Sequence, residues 1–234
     1  MILLFALAVI PPLLIAYYVY QQDRYDKEPK GLLVKSFLFG CVSVIPALVL
    51  EIILDANLFS SLFLYVFVGI ALVEEGVKFF FLRVYMYQKE EFNEPMDGIV
   101  YGVMISLGFA TVENVVYVFV YSYPGSELQT AIMRMFTAIP LHAVCGIILG
   151  YYVGLAKFSN NYKILIYKGL FFAVLTHTLY NYFIMAGYGI LLSIIALIIA
   201  IYFSKKAINI HQDDSKQRNF FKKSSLFFNK YFNK

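Results

Sequence analysis

Two adjacent carboxylates and a lysine, Glu74, Glu75 and Lys78, interrupt an otherwise apolar run from about Leu62 to Tyr87. One ionisable side chain inside a membrane-crossing segment costs roughly 2.5–3.5 kcal/mol on insertion scales, so three within five residues mark a functional site. On a helix, Glu74 and Lys78 stand at i, i+4, and Glu75 and Lys78 at i, i+3. The lysine can therefore neutralise one carboxylate on its own face and leave the other available. Later apolar runs bring Glu113 beside Asn114, His142 just after Pro140, and His177 four residues before Asn181.

Carboxylates and imidazoles brought together can do two kinds of chemistry. They can hold a divalent metal such as zinc, with Glu113, His142 and His177 as candidate ligands. Zinc accepts imidazole nitrogen and carboxylate oxygen and lowers the pKa of its bound water to about 7. With no metal, a buried carboxylate can activate water while the histidines supply protons or contact an oxyanion. Both routes end in hydrolysis. The sequence leaves them open, because it has no HExxH and each candidate comes from a separate segment.

The elements that position these groups are read from composition. The 234 residues are 61% hydrophobic and 18% aromatic, with a mean hydropathy of +0.71, too apolar for an ordinary water-soluble domain. A bilayer core of about 30 Å needs about 20 helical residues, and the apolar runs 2–20, 32–54, 60–82, 98–121, 132–156, 164–184 and 187–204 meet that length. The expected fold is all-α, a polytopic membrane helix bundle of about seven transmembrane helices with the site formed by spans 3 to 6. Residues 1–204 form the membrane domain, and 205–234 a basic and aromatic cytoplasmic tail in which 220–228 could lie along the inner leaflet as an amphipathic segment.

Charge sets the orientation. Arg24, Lys27 and Lys30, then Arg83 and Lys89, then Lys157 and Lys163, occupy alternate connections, whereas those around 55–60, 122–131 and 185–187 contain no Lys or Arg. The positive-inside rule then puts the N-terminus outside and the C-terminus in the cytoplasm of a multi-pass protein of the cell membrane. The net charge of +4 suits anionic lipid, which attracts basic residues next to spans, and nucleic acid is excluded as a partner. Cys41 and Cys145 lie in separate spans and imply no disulfide framework.

Depth tests convergence. At about 1.5 Å per residue, Glu113 lies about 24 Å from the start of its span near Asp97, while Glu75, His142 and His177 each lie about 20 Å from the opposite ends of theirs. Four helices thus present two acids and two imidazoles at one level. Groups facing lipid there would go unsatisfied. Among the remaining polar residues, Asp97 reads as a helix cap after Pro95, Asn114 and Asn181 as interhelical hydrogen-bond partners or supports for a histidine, Glu51 and Arg134 as interfacial, and His211 as solvent-exposed.

The order Glu-Glu-x-x-Lys (74–78), Phe-x-x-x-Glu-Asn (109–114), His-x-x-x-Gly (142–146) and His-x-x-x-Asn (177–181), each on its own span, resembles the PrsW family of intramembrane proteases. That family is distantly similar to the CAAX-prenyl type II proteases, which carry Glu-Glu-x-x-x-Arg and Phe-x-x-x-His where this chain has Lys78 and Glu113. The resemblance runs from about Asp26 through the sixth span. It implies the first, extracytoplasmic-side cut in a single-span anti-sigma factor, leading to sigma factor release under envelope stress. It also implies that Glu74 and Glu75 are essential and that Glu113, His142 and His177 complete the site, by a metal-dependent or a glutamate-dependent mechanism. Two other classes fit buried acids and histidines: a proton-coupled transporter, for which no internal repeat is seen, and a non-catalytic membrane scaffold or immunity-type protein.

Overall fold

A computed structural model describes residues 1–187 and 190–232, and among them the regular structure is entirely helical. Helix α1 is Ile2–Gln22 and α2 Lys30–Ile53. The run α3 covers 62–86, its α-helical pieces Leu62–Leu64 and Leu72–Phe81 alternating with π-helical Tyr65–Ala71 and Leu82–Met86. Helix α4 is Pro95–Val116, continued by the π-helical Tyr117–Tyr121. It is followed by α5 Glu127–Phe136, α6 Ala138–Lys157, α7 Tyr162–Met185 and α8 Ile190–Phe232.

Local chemistry sets the boundaries. Pro29, in extended conformation, is the residue before α2, a position where its missing N–H costs no helical hydrogen bond. Pro95 opens α4, and Asp97 Oδ2 accepts from the backbone N–H groups of Asn93 at 2.7 Å and Glu94 at 2.8 Å, the cap expected from sequence. Gly187, with φ +76°, closes α7 in the left-handed conformation that glycine adopts without strain.

Among the described residues, five helical stretches are long and apolar enough to cross a membrane: Ile2–Gln22, Lys30–Ile53, Pro95–Tyr121, Glu127–Lys157 and Leu191–Arg218. The polytopic bundle is as expected. The other two expected spans, α3 and α7, are helical but fall outside these five. The first carries Glu74, Glu75, Lys78 and Arg83, and the second Lys163, Lys168, His177 and Asn181. Glu127–Lys157 also divides at Thr137 into α5 and α6.

Helix α4 is the axis of the bundle and packs most extensively on α6 and α2. Small residues permit that approach: a Cβ on Gly150 of α6 would overlap the carbonyl of Gly98 on α4, and one on Gly40 of α2 would overlap the carbonyl of Ile105. Gly150→Ala is expected to destabilise the purified protein by roughly 1–3 kcal/mol, as overpacking does. Gly31→Ala, with nothing within 4 Å of its Cβ, should leave the thermal unfolding temperature unchanged.

One end of the bundle is tied together by acids. Asp23, Glu28 and Glu94 are at most 4% exposed. Asp23 Oδ2 accepts from the Glu28 N–H at 3.3 Å, Tyr101 donates its hydroxyl to Glu28, and Ser215 of α8 donates to Glu94 at 2.8 Å. Burial, and then the neighbouring Asp97 carboxylate, push Asp23 up to about 7 and Glu28 to about 10. Burial pushes Glu94 to about 7 against the opposing Ser215 hydrogen bond. A carboxyl whose folded pKa is raised contributes stability that is complete below its unfolded value, about 4, and is lost as pH rises through the folded one. Thermal stability should therefore fall between about pH 4 and 7, where the unfolded chain has already given up the Asp23 and Glu94 protons and the folded one still holds them, and should level off once both have ionised in the fold. Asp23→Asn combined with Glu94→Gln should flatten that slope in melts followed by circular dichroism.

Helix α8 runs without a break past residue 204. His211, expected in solvent, is 0% exposed: its ring stacks on Tyr151 at 4.3 Å and its Nε2 lies 3.1 Å from the Tyr151 carbonyl. A polar stretch at the end of an apolar helix reads as a tail in sequence, and the partner ring on α6 that buries it cannot be seen there. The side chains of the expected amphipathic segment beyond Phe220 lie outside the described residues.

Candidate active site

The acids on Leu72–Phe81 sit in a helix flanked on both sides by π-helical turns, and Glu113 is followed by a third. Such turns rotate the register of a helix locally and often occur at functional sites. Glu74, Glu75 and Lys78 are all buried. Lys78 Nζ lies 2.8 Å from Glu75 Oε1 and 3.3 Å from Glu74 Oε2, so it serves both carboxylates rather than one. It also lies 3.0 Å from His142 Nδ1 and 4.1 Å from the centroid of the Phe109 ring.

The two histidines arrive from α6 and α7. His177 Nδ1 meets Glu75 Oε1 at 2.9 Å, and His142 Nε2 meets Glu113 Oε2 at 2.7 Å. The rings pack edge to face, 5.4 Å between centroids. The partners assign the tautomers: His142 donates from Nε2 to Glu113 and accepts from Lys78 at Nδ1, while His177 donates from Nδ1 to Glu75 and keeps the Nε2 lone pair. Candidate ligand atoms of Glu74, Glu75, His142 and His177 all lie within 4.8 Å of one another. Glu113 stands outside that group, so it differs from the expected metal set of Glu113, His142 and His177.

Arg134, expected at the interface, belongs to the site. Its Nη2 is 2.8 Å from Glu113 Oε2, its Nε donates to Asn114 Oδ1 at 2.7 Å, and its guanidinium covers Tyr117 at 3.9 Å. The sequence held a signal for it: between Lys89 and Lys157 it is the sole Lys or Arg. Glu51, also expected at the interface, lines the same cavity.

That cavity, of about 860 Å³, has Glu74, Glu113, His142, His177 and Asn181 in its wall, and it reaches Tyr121, Tyr123 and Ser126. Tyr123 is 84% exposed, so the buried acids connect to the surface beside the connection 122–126. Glu75 and Lys78 do not line it. Within the paired acids, Glu74 faces the cavity and Glu75 stands behind it, gripping His177.

A polytopic helical protein that gathers carboxylates and imidazoles in the wall of one cavity has the groups that a membrane-embedded hydrolase needs. The chain belongs to the PrsW family of intramembrane metalloproteases, whose model matches residues 28–205. Protease PrsW of Clostridioides difficile (strain 630) is 37% identical over 205 residues, 84% of this chain and 86% of that protein. Protease PrsW of Geobacillus kaustophilus (strain HTA426) is 33% identical over 200 residues, 83% of this chain and 87% of the relative. That of Shouchella clausii (strain KSM-K16) is 36% identical over 191 residues, covering 81% and 86%. No solved structure matches the chain. It is thus a multi-pass membrane peptide hydrolase, and bilayer and membrane substrate are its surroundings.

The family description implies a metal ion, and the donor chemistry suits one. Two carboxylates and two imidazoles converge, and Glu75 Oε2 is buried with no hydrogen-bond partner. Such a set matches a borderline divalent cation.

Proposed function

We propose that this protease makes the first, extracytoplasmic-side cut in a single-span anti-sigma factor, so that a sigma factor is released under envelope stress. The observation that carries the reading is the single cavity joining Glu74, Glu113, His142 and His177 to one end of the bundle. Its mouth lies beside the connection 122–126, which is free of Lys and Arg and which the positive-inside rule assigns to the outside of the cell membrane, with the N-terminus there and the C-terminus in the cytoplasm. A helix is about 10–12 Å across. A cavity of this size therefore takes a few unwound residues near the end of a substrate span rather than the intact helix.

In this reading Glu74 is the carboxylate that meets water and the scissile carbonyl. It takes the proton of the attacking water and returns it to the leaving amine. Glu75 fixes His177 through Nδ1 and so presents the Nε2 lone pair, and Glu113 fixes His142 through Nε2 and so leaves the Nδ1 lone pair, which faces Lys78. Asn181, one turn from His177 and also in the cavity wall, is placed to position the substrate backbone. A divalent ion held by Glu74, Glu75, His142 and His177 would supply a polarised water and positive charge, and zinc is the ion we infer from the nitrogen and oxygen donors.

The test is made in cells under envelope stress, with the anti-sigma factor followed by immunoblot and a sigma-dependent reporter. The wild-type chain should shorten the anti-sigma factor and switch the reporter on, and His177→Ala should do neither. An anti-sigma factor that is shortened equally in the absence of this chain would overturn the substrate assignment.

A further inference from the structure

The acids and imidazoles that could hold a metal ion already surround a cation of the chain's own. Lys78 Nζ contacts Glu75 Oε1 at 2.8 Å, His142 Nδ1 at 3.0 Å and Glu74 Oε2 at 3.3 Å, and rests over the Phe109 ring at 4.1 Å. An ammonium has three hydrogens, and here each has an acceptor while the aromatic face takes the remaining side. The side chain is 1% exposed. Of the four residues whose ligand atoms cluster within 4.8 Å, three therefore give a lone pair to Nζ.

An ion bonded to those oxygens and that nitrogen at about 2.0–2.2 Å would sit in the same small volume as Nζ. Like charges at that separation in a buried site repel strongly. His142 makes the conflict explicit: Nε2 is committed to Glu113 at 2.7 Å, so the nitrogen left for a metal is Nδ1, which faces Lys78. His177 Nε2, Glu75 Oε2 and the second oxygen of Glu74 are the donors not engaged by the lysine.

We propose that Lys78 is a tethered competitor for the metal position: its ammonium holds Glu74, Glu75 and His142 together, and a divalent ion takes up these donors only as Nζ withdraws. Lys78 is a positioning residue in this account and touches no reacting atom. The arrangement explains why Lys78 reaches both carboxylates instead of pairing with one. It also gives the site a way to stay assembled before metal is loaded, with one ammonium set between its two buried carboxylates.

The experiment reads metal binding without substrate, so it stands apart from the anti-sigma assignment. Purified, chelator-stripped protein in detergent is titrated with zinc and, separately, cobalt, and bound metal is measured by elemental analysis and by the cobalt absorption spectrum. Lys78→Met is expected to bind at least tenfold more tightly than the wild type, and zinc should raise its melting temperature more than it raises that of the wild type. Equal or weaker binding by Lys78→Met would overturn the proposal. The wild type provides a second measurement, needed should the variant fail to fold. Amine-modifying reagent followed by mass spectrometry should find Lys78 protected in metal-free protein and labelled once zinc is saturating. Saturation with Lys78 still protected would show that ion and ammonium coexist and would likewise overturn it.

Discussion

Glu74→Gln is expected to reduce cleavage of a co-reconstituted single-span substrate by about 10³-fold, within the 10²–10⁴-fold that a positioned general base contributes. The substitution preserves volume and keeps a hydrogen-bonding side chain, and the fold loses only the longer of two contacts to Lys78, 3.3 Å against 2.8 Å for Glu75. Unfolding temperature should therefore change little while activity collapses. Glu75→Gln should differ. Its carboxylate is 0% exposed and touches both Lys78 and His177, so its loss removes the partner that fixes His177 and also leaves a buried ammonium short of charge. Activity and stability should fall together. Assays of cleavage rate and thermal unfolding on the two variants side by side separate the acid that meets the substrate from the one that supports it. Equal loss of stability in both would remove that distinction.

The second large effect is expected at Arg134. Arg134 and Glu113 are 15% and 17% exposed, and removing one member of such a pair leaves the other without its counter-ion, at a cost of about 3 kcal/mol, the low end for buried pairs. Arg134→Met should destabilise the protein by that amount and slow cleavage, because Glu113 is also the group that orients His142. Combining Arg134→Met with Glu113→Gln should restore most of the stability, since no charge is then left unpaired, but not the activity. Recovery of both would mean that Glu113 matters only as the arginine's partner.

Most of the bundle was legible because hydropathy and charge are local properties. Apolar runs of membrane-spanning length, the Pro95 and Asp97 helix start and the convergent depth of Glu75, Glu113, His142 and His177 all follow from residue type and rise per residue. What could not be read depended on rotation of one helix against another. The reach of Lys78 to both acids and to His142 depends on how α3 faces α6. The inward turn of Arg134 depends on the break at Thr137, which makes a separate short helix of a segment that reads as one span. The burial of His211 depends on Tyr151, 60 residues away in sequence. Even so, the order of the two acids had a structural consequence that alternation of faces could only suggest: adjacent helical residues point about 100° apart, so one of them meets the cavity and the other the helices behind it.

The cavity that joins these acids and imidazoles is expected to be the place where peptide bonds are cut. The most direct measurement is mass spectrometry of the products formed by purified protein and a single-span substrate in proteoliposomes, comparing the wild type with His177→Ala. A single cut near the end of the substrate span that adjoins the mouth beside Tyr123, lost in His177→Ala, is the predicted result. The same cut made at an undiminished rate by His177→Ala, or a cut at the opposite end of the span, would contradict it.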